Sequence, residues 1–356
     1  MKRKINFLLA SIVMFGIVLS LAGTSLASQA APVEKQQGQN RKAPKPIPAS
    51  NIEVVKKVFS EDMGKGKDKG KPSPSKPESG AATGILGDYP ATGNKYAVVI
   101  GICDYPGTAY DLCESDGDSL HMYKALIELY GYKAENIMLF KDGGGFTGPA
   151  LGNVAYNVPT RDNIYNAIMD IEEDTALSPD DEVVFFFSGH GTKGMAADGD
   201  EEAIDEAIVV WNTENDKEGD ITYIWDGELK NWFSDFGTAR IVFVFDSCLA
   251  GGMNDVASDG RVVNMATGET QSAYVYSTAG EDVDGDGIKD GEGVFSRYFV
   301  NEGMLQGLAD KYDHIIDIPD VVVEEAFDYA KANIPSYLKV RQKPVISDKF
   351  DNDLLL

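Results

Sequence analysis

The sequence has little cysteine, little histidine and little basic charge. It contains three cysteines, Cys103, Cys113 and Cys248, and three histidines in 356 residues. So few cysteines exclude a fold held together mainly by disulfide bonds, and an odd number leaves at least one thiol unpaired. Cys103 and Cys113 either form a bond across their short loop or remain as thiols, and Cys248 is left over in both cases. The formal net charge of −25 disfavours a nucleic-acid partner and favours cations or basic peptides.

Long apolar runs are absent apart from one near the amino terminus, and residues 1–30 have the pattern of a secretory signal peptide. Three basic residues precede an apolar stretch that ends at Ala22, and small residues follow it, with cleavage expected after Ala27 or Ala30. An uncleaved membrane anchor is the alternative, because the stretch is nearly long enough to span a bilayer. We expect a secreted or extracytoplasmic protein without stable membrane insertion after signal removal.

Residues 31–94 are rich in Gln, Pro, Lys, Gly and Ser. Such a composition cannot bury enough apolar surface to order itself, so we expect a low-complexity propeptide or linker. Only residues 52–59 are expected to form a short strand or helical turn, and the lysines between positions 65 and 76 are the expected processing region. One globular domain then extends over residues 95–356.

Within that domain, short apolar runs alternate with amphipathic stretches. Runs rich in Val, Ile and Phe with little alternation predict strands that are buried on both faces. We therefore expect an α/β fold: a mostly parallel sheet of about six strands, with helices on both faces and catalytic groups at the carboxyl ends of strands. The predicted strands are 96–102, 137–140, 182–187, 207–211, 240–246 and 272–277. The predicted helices are 115–130, 160–174, 224–236, 293–308 and 319–334.

Two of the predicted strands end in chemically reactive residues. The run that ends at position 187 leads into Ser-Gly-His-Gly, which contains His190, and the run that ends at position 245 leads into Asp-Ser-Cys, which ends at Cys248. If these strands are neighbours, the imidazole can take the thiol proton and later give a proton to a leaving amine. The amide N–H groups of Gly191 and Cys248 are then placed to hold the oxyanion of the transition state.

The motifs at 188–191 and 246–248 resemble the catalytic pair of the caspase-like cysteine peptidases, a group that includes caspases, metacaspases, legumains and clostripain. The resemblance extends over residues 96–346, and metacaspases are the most similar members. It implies a caspase-like fold with His190 as general base and Cys248 as nucleophile.

The same resemblance implies a pocket for the substrate side chain, lined by Asp118, Asp246 and Ser188. Two carboxylates in a partly desolvated pocket favour a guanidinium or an ammonium, so the expected cleavage is after Arg or Lys. Asp116 is the alternative match to Asp118, because the family often has Asn-Asp-Ala where this chain has Gly-Asp-Ser.

Two acidic segments suggest calcium. In the first, carboxylates at alternate positions with a glycine between them resemble a calcium loop, although a solvated acidic loop is the alternative. Its candidate ligands are Asp282, Asp284, Asp286 and Asp290. Likeness to calcium-activated metacaspases implies a second set, Asp205, Asp220 and Asp255. Calcium bound at such loops is expected to order them beside the catalytic residues.

Together these features predict a secreted cysteine endopeptidase that is made as a zymogen, is influenced by calcium and cuts protein substrates after basic residues. Two alternatives stay open. One is a legumain-like peptidase that cuts after Asn, and the other is a catalytically inactive calcium-binding surface protein with the same fold.

Overall fold

A computed structural model of the chain describes ten stretches of residues, all within the compact unit Gly38–Leu356. They are 42–60, 80–88, 93–107, 109–112, 115–141, 157–174, 177–199, 202–213, 220–276 and 291–356. The predicted signal peptide, the processing region 65–76, Cys113 and the first set of calcium ligands lie outside these stretches. Within them, no helix combines the length and the apolar character that crossing a membrane requires.

The helices and strands alternate along the chain. The strands are β1 (Ala49–Val55), β2 (Val58–Phe59), β3 (Lys95–Gly101), β4 (Ile137–Lys141), β5 (Glu182–Ser188), β6 (Gly191–Ala196), β7 (Asp205–Trp211), β8 (Ile221–Trp225), β9 (Ile241–Asp246), β10 (Arg261–Met265), β11 (Tyr274–Tyr276), β12 (Glu292–Gly293) and β13 (Val345–Asp348). The helices are α1 (Ser115–Glu128), α2 (Arg161–Asp174), α3 (Asp226–Trp232), α4 (Val294–Ser296) and α5 (Val323–Asn333), and a π-helical segment, Arg297–Leu305, continues α4.

The main sheet has six strands in the order β13-β10-β9-β5-β3-β4. Its strands are parallel except β13, which pairs antiparallel with β10 at one edge. Side chains alternate between the two faces: Val184 and Phe186 of β5 point into one core, and Phe185 and Phe187 into the other. Helices α1 and α5 cover the first face and α2 and α3 cover the second. The predicted α/β fold with helices on both faces is confirmed.

Two smaller sheets stand beside the main one. Strands β1, β6, β7 and β8 form an antiparallel sheet in that order, and β6 begins only three residues after β5 ends. Strands β12, β11 and β2 form the other. Both sheets include a strand from the amino-terminal segment, so residues preceding the globular domain become part of its β-structure.

The predicted strands and helices have the predicted type, but two of the predicted strands lie outside the main sheet. Four predicted strands lie in the main sheet, but β7 and β11, which cover the predictions 207–211 and 272–277, lie in the smaller sheets. Strands β10 and β13 complete the main sheet instead. They were missed because each is short and contains polar residues, as expected near a sheet edge, so neither forms an unbroken apolar run. The five predicted helices are confirmed with shorter ends.

Candidate active site

The predicted catalytic residues follow two neighbouring strands at the same edge of the main sheet. β5 and β9 are parallel, and Ser188 pairs with Asp246 at their carboxyl ends. His190 and Cys248 each come two residues after this pair. A Cβ on Gly191 would overlap the carbonyl oxygen of Cys248, so the two polypeptide turns pack directly against each other. The structure therefore brings the two sequence motifs together.

His190 is held in place on several sides. Its ring stacks on Tyr105, with the ring centroids 5.0 Å apart, and its backbone N–H donates to the Tyr105 hydroxyl at 2.9 Å. Ring nitrogen Nε2 lies 2.7 Å from the backbone carbonyl oxygen of Tyr110. Ring nitrogen Nδ1 accepts a hydrogen bond from the backbone N–H of Lys57 at 3.3 Å. The proton of the neutral ring is therefore on Nε2, donated to Tyr110, and Nδ1 is the basic nitrogen.

Both catalytic groups are neutral in this arrangement. Burial lowers the pKa of His190 to about 4, while the hydrogen bond to Tyr110 opposes that shift. Burial also raises the pKa of Cys248 to about 11, and its side chain is 1% exposed. The sulfur accepts the backbone N–H of Ala273 at 3.2 Å and packs in an apolar cluster that includes Val55. A covered thiol with a raised pKa is less reactive than an exposed thiolate.

The predicted substrate pocket is a buried cluster of two carboxylates. The Ser188 hydroxyl donates to Asp118 Oδ2 at 2.6 Å, and the N–H of Gly293 donates to both oxygens of Asp118 at 3.0 and 3.1 Å. The backbone N–H and hydroxyl of Ser296 donate to Asp246 Oδ2 at 2.9 and 2.7 Å. These donors fix both carboxylates from outside the pocket, which leaves the pocket itself suited to a cation.

The pocket resolves the choice between two neighbouring acids. Asp118 is fully buried, and burial raises its pKa well above the ordinary value, with Lys57 opposing and Asp246 adding to the shift. Asp116 faces away, 3.5 Å from Lys141, and is partly exposed. Of the two acids, Asp118 is therefore the one that lies beside Asp246 and Ser188.

The pocket is filled by a lysine from the amino-terminal segment. Lys57 Nζ lies 3.0 Å from Asp246 Oδ1 and 3.9 Å from Asp118 Oδ2, and it donates to the Ser188 hydroxyl at 2.9 Å. The side chains of all three charged residues are completely buried. Residues 31–94 were expected to lack order outside 52–59. β2 and most of β1 fall within 52–59, and β1 begins three residues earlier, at Ala49. Both strands form by pairing with β6 and β11, whose hydrogen bonds the isolated segment does not have.

A second carboxylate cluster lies beyond the catalytic residues. Among the described residues, Glu202, Glu206 and Asp226 bring carboxylate oxygens within 4.8 Å of one another. Asp226 is 0% exposed, and its Oδ2 has no hydrogen-bond partner. Burial and the adjacent Asp198 raise the pKa of Asp226 to about 9, and burial with nearby acids raises that of Glu206 to about 7. Three crowded carboxylates, of which Glu206 and Asp226 are buried and Glu202 is exposed, supply the oxygen ligands that a hard divalent cation such as calcium prefers.

The second set of calcium ligands implied by resemblance does not form such a cluster. The carboxylate of Asp205 accepts the N–H of Ala196 at 2.7 Å, and that of Asp220 accepts Asn212 Nδ2 at 2.8 Å. Asp255 pairs with Lys230 at 3.1 Å. The expectation that Asp205, Asp220 and Asp255 share one ion stays a prediction, and the cluster that contains Asp226 is a second candidate for the same ion. Asp226 follows a buried strand, β8, and that position at a strand tip was the signal that sequence analysis overlooked.

An imidazole and a thiol on adjacent strand tips, beside a buried acidic pocket, form the arrangement that the resemblance to caspase-like peptidases implied. Residues 95–257 match the family model described as "Metacaspase, peptidase C14 domain", and they include His190 and Cys248. This region belongs to the metacaspase family. The family assignment made from the two motifs is confirmed.

Individual relatives match only part of their own length. Metacaspase-4 of Arabidopsis thaliana is 33% identical over 168 residues, which cover 46% of this chain and 35% of that protein. Metacaspase-1 of Cryptococcus neoformans var. neoformans is 30% identical over 226 residues, which cover 61% of this chain and 42% of that protein. The chain thus spans less than half the length of these relatives. The Drosophila initiator caspase Dronc aligns with 85% of this chain and 96% of its own, at 15% identity and a TM-score of 0.41.

Sequence analysis missed several groups that the structure places at the site. Tyr110 contributes only its backbone carbonyl, which every residue has, so no sequence signal marks it. Gly293 and Ser296 also act partly through backbone N–H groups. Lys57 belongs to a segment with many lysines, and only its position after a short apolar run distinguishes it from the others.

Proposed function

We propose that the chain is a secreted endopeptidase that cuts after Arg or Lys, is made as an inactive precursor and responds to calcium. The observation that carries the specificity is the ammonium of Lys57, held between Asp118 and Asp246 with all three side chains buried. Two carboxylates removed from water need a cation, and a basic substrate side chain supplies one. A neutral Asn side chain, as in the legumain-like alternative, leaves both charges uncompensated.

The chemistry follows from the two strand tips. Once the site is open, His190 Nδ1 takes the proton of Cys248, and the thiolate attacks the substrate carbonyl carbon. The N–H groups of Gly191 and Cys248 stabilise the oxyanion, and His190 returns the proton to the departing amine. Water then hydrolyses the acyl-enzyme with the same imidazole as base. The carbonyl of Tyr110 keeps the Nε2 proton in place, which leaves Nδ1 free for these transfers.

The precursor proposal is supported by the same contacts. The segment that contains Lys57 occupies the pocket, and Val55 packs against the apolar cluster that includes Cys248. A substrate cannot enter until that segment leaves. Export is supported by the pattern of residues 1–30, and sequencing the amino terminus of the protein recovered outside the cell tests it.

Calcium is supported by the cluster of Glu202, Glu206 and Asp226. A bound cation there neutralises acids that otherwise repel one another. Asp226 is the first residue of α3, which directly follows β8, and Glu206 lies in β7, the strand next to β8. Neutralising this cluster therefore stabilises the sheet of β1, β6, β7 and β8, in which β6 directly follows His190.

A panel of short fluorogenic peptides ending in Arg, Lys, Asn or Asp tests the specificity. We expect hydrolysis of the Arg and Lys peptides and at least about a hundredfold less of the other two, because an unpaired buried charge costs about 3–5 kcal/mol. Cys248→Ala is the control that must abolish all hydrolysis.

Two outcomes of the panel would favour the alternatives. Preferential cleavage after Asn would support the legumain-like peptidase. The absence of hydrolysis and of Cys248 labelling by a thiol-reactive probe, with and without calcium, would support the inactive calcium-binding protein.

A further inference from the structure

The amino-terminal segment 49–60 crosses the candidate active site from one side to the other. β1 pairs antiparallel with β6, where Val55 lies opposite Gly191. Lys57 then enters the pocket, and β2 continues along β11, with Ser60 N–H donating to the carbonyl of Val275 at 3.0 Å. Backbone pairing on both sides of the pocket therefore holds the segment in addition to the buried ion pair.

The peptide bond after Lys57 is not placed for cleavage. Breaking that bond requires the imidazole to protonate the nitrogen of Val58 as it leaves. In the structure the Val58 N–H donates to the carbonyl of Ala273 at 2.9 Å. The N–H that faces His190 Nδ1 belongs to Lys57 itself. His190 therefore faces the amino side of Lys57. Cleavage after Lys57 requires His190 to face its carboxyl side.

The preceding peptide bond is not placed for cleavage either. Its nitrogen, Lys57 N, does face the imidazole, but cleavage there requires Lys56 to occupy the pocket. The Lys56 ammonium instead lies 4.8 Å from the ring centroid of Tyr110 and bonds to the carbonyl of Ala109. Cleavage requires a basic side chain in the pocket and the backbone nitrogen of the next residue beside His190. Neither the Lys57–Val58 bond nor the Lys56–Lys57 bond meets both conditions.

The direction of the segment explains this mismatch. β2 runs parallel to β11. Reversing a strand while one side chain stays in the same pocket exchanges the positions of that residue's amino and carboxyl sides along the strand. An antiparallel peptide with a basic residue in the pocket thus places its carboxyl side, which carries the bond to be cut, near the catalytic residues, where Lys57 places its amino side.

We propose that residues 49–60 are an intramolecular inhibitor that binds the substrate cleft in the non-cleavable direction. The inference rests on the proposed peptidase function and names how that site is regulated. The segment 49–60 ends before the expected processing region 65–76, so cutting there leaves every contact of the segment intact. The processed fragment remains bound, and the site opens only when the fragment dissociates.

Two full-length variants separate the role of Lys57 from that of a neighbouring lysine. Lys57→Gln removes the charge in the pocket, and Lys56→Gln removes a charge just outside it. The readouts are the initial rate on an Arg-ending fluorogenic peptide and the rate at which iodoacetamide alkylates Cys248, located by peptide mass mapping. We expect Lys57→Gln to raise both rates at least about tenfold, and Lys56→Gln to raise them by a much smaller factor, because Lys56 holds the segment through Ala109 and Tyr110 but leaves the buried carboxylates paired.

A synthetic peptide keeps the test independent of variant folding. The peptide of residues 49–60, added to the Lys57→Gln protein, should slow both hydrolysis and alkylation and remain intact. The same peptide carrying Lys57→Gln should do neither. Cutting of the unmodified peptide between Lys57 and Val58, or self-cleavage there that Cys248→Ala prevents, would overturn the inference.

The two readouts distinguish failure of this inference from failure of the proposed function. Equal hydrolysis by Lys57→Gln and Lys56→Gln, with equal alkylation, would mean that the protein is a peptidase without this inhibitor. Faster alkylation of Lys57→Gln without hydrolysis of any peptide would mean that the segment covers the cleft of a protein that is not a peptidase.

Discussion

Single buried titratable side chains determine how this protein responds to pH. His121 lies on α1 behind the pocket, with Nδ1 3.6 Å from the carboxylate of Glu292. Burial, followed by Lys124 and Arg297, lowers its pKa to about 4 despite this neighbour. The folded protein therefore keeps His121 neutral at pH values where the unfolded chain protonates it.

We expect the His121→Gln variant to lose less stability on acidification. Between pH 6.5 and pH 4 the unfolded wild-type chain binds a proton at His121 that the folded chain does not, so the free energy of unfolding falls as the pH falls. The shift corresponds to about 3 kcal/mol over that range. Urea unfolding of both proteins at pH 6.5 and pH 4 measures the difference, and parallel losses would contradict it.

At the same scale, most of the catalytic assignment came from residue types and their place at strand tips. His190, Cys248, Asp118, Asp246 and Ser188 all lie where the sequence placed them. The choice between Asp118 and Asp116 needed coordinates, because the two lie two residues apart in the first turn of α1 and their side chains point in different directions.

The elements that position the site are the two turns after β5 and β9. Gly191 is the first residue of β6, and a Cβ there would overlap the carbonyl oxygen of Cys248. The close packing of these turns keeps the imidazole and the thiol at one edge. Gly268 provides a contrast, because a Cβ there would meet only Gln271 Oε1 at 3.5 Å, an ordinary contact.

Gly191→Ala is expected to destabilise the protein and to remove its activity. Moving the turns apart to fit a methyl group costs about 1–3 kcal/mol and displaces the oxyanion N–H groups. Gly268→Ala should remain within about 0.5 kcal/mol of wild type and stay active. Thermal unfolding and Arg-peptide hydrolysis measure both effects. An active Gly191→Ala protein of normal stability would show that the two turns are not in contact.

The strongly apolar central elements were predictable, whereas the edges were not. β3, β5 and β9 are buried on both faces and have continuous apolar runs. β1, β2 and β13 are short or exposed, and their pairing is decided by the strand next to them.

At the scale of the whole molecule, excess negative charge opposes folding and is relieved by cations. The net charge is −25, and Glu202, Glu206 and Asp226 concentrate part of it in one cluster. A cation that binds only the folded protein raises its stability by mass action. This stabilisation by a cation should depend on Glu202, Glu206 and Asp226 and not on the net charge of the protein.

We expect calcium to raise the melting temperature of wild type and of Asp220→Asn but to raise that of Asp226→Asn much less. Calcium at a hundred times its dissociation constant stabilises by about 2.7 kcal/mol. A calcium titration of thermal unfolding, with magnesium for comparison, measures this. Equal shifts in wild type and Asp226→Asn would place the ion elsewhere, and a loss in Asp220→Asn would restore the ligand set implied by resemblance.

The sequence by itself determined the class of fold and the position of the motifs that contain His190 and Cys248 at one edge of the sheet. Buried parallel strands require unbroken apolar runs, and a reactive residue directly after such a run must lie at the sheet edge. Only the tertiary structure decided that Lys57 fills the pocket, that a carbonyl of Tyr110 orients His190 and that Asp226 joins the second acidic cluster. These depend on which distant segments meet and on backbone groups that are the same in every residue, so no local pattern specifies them.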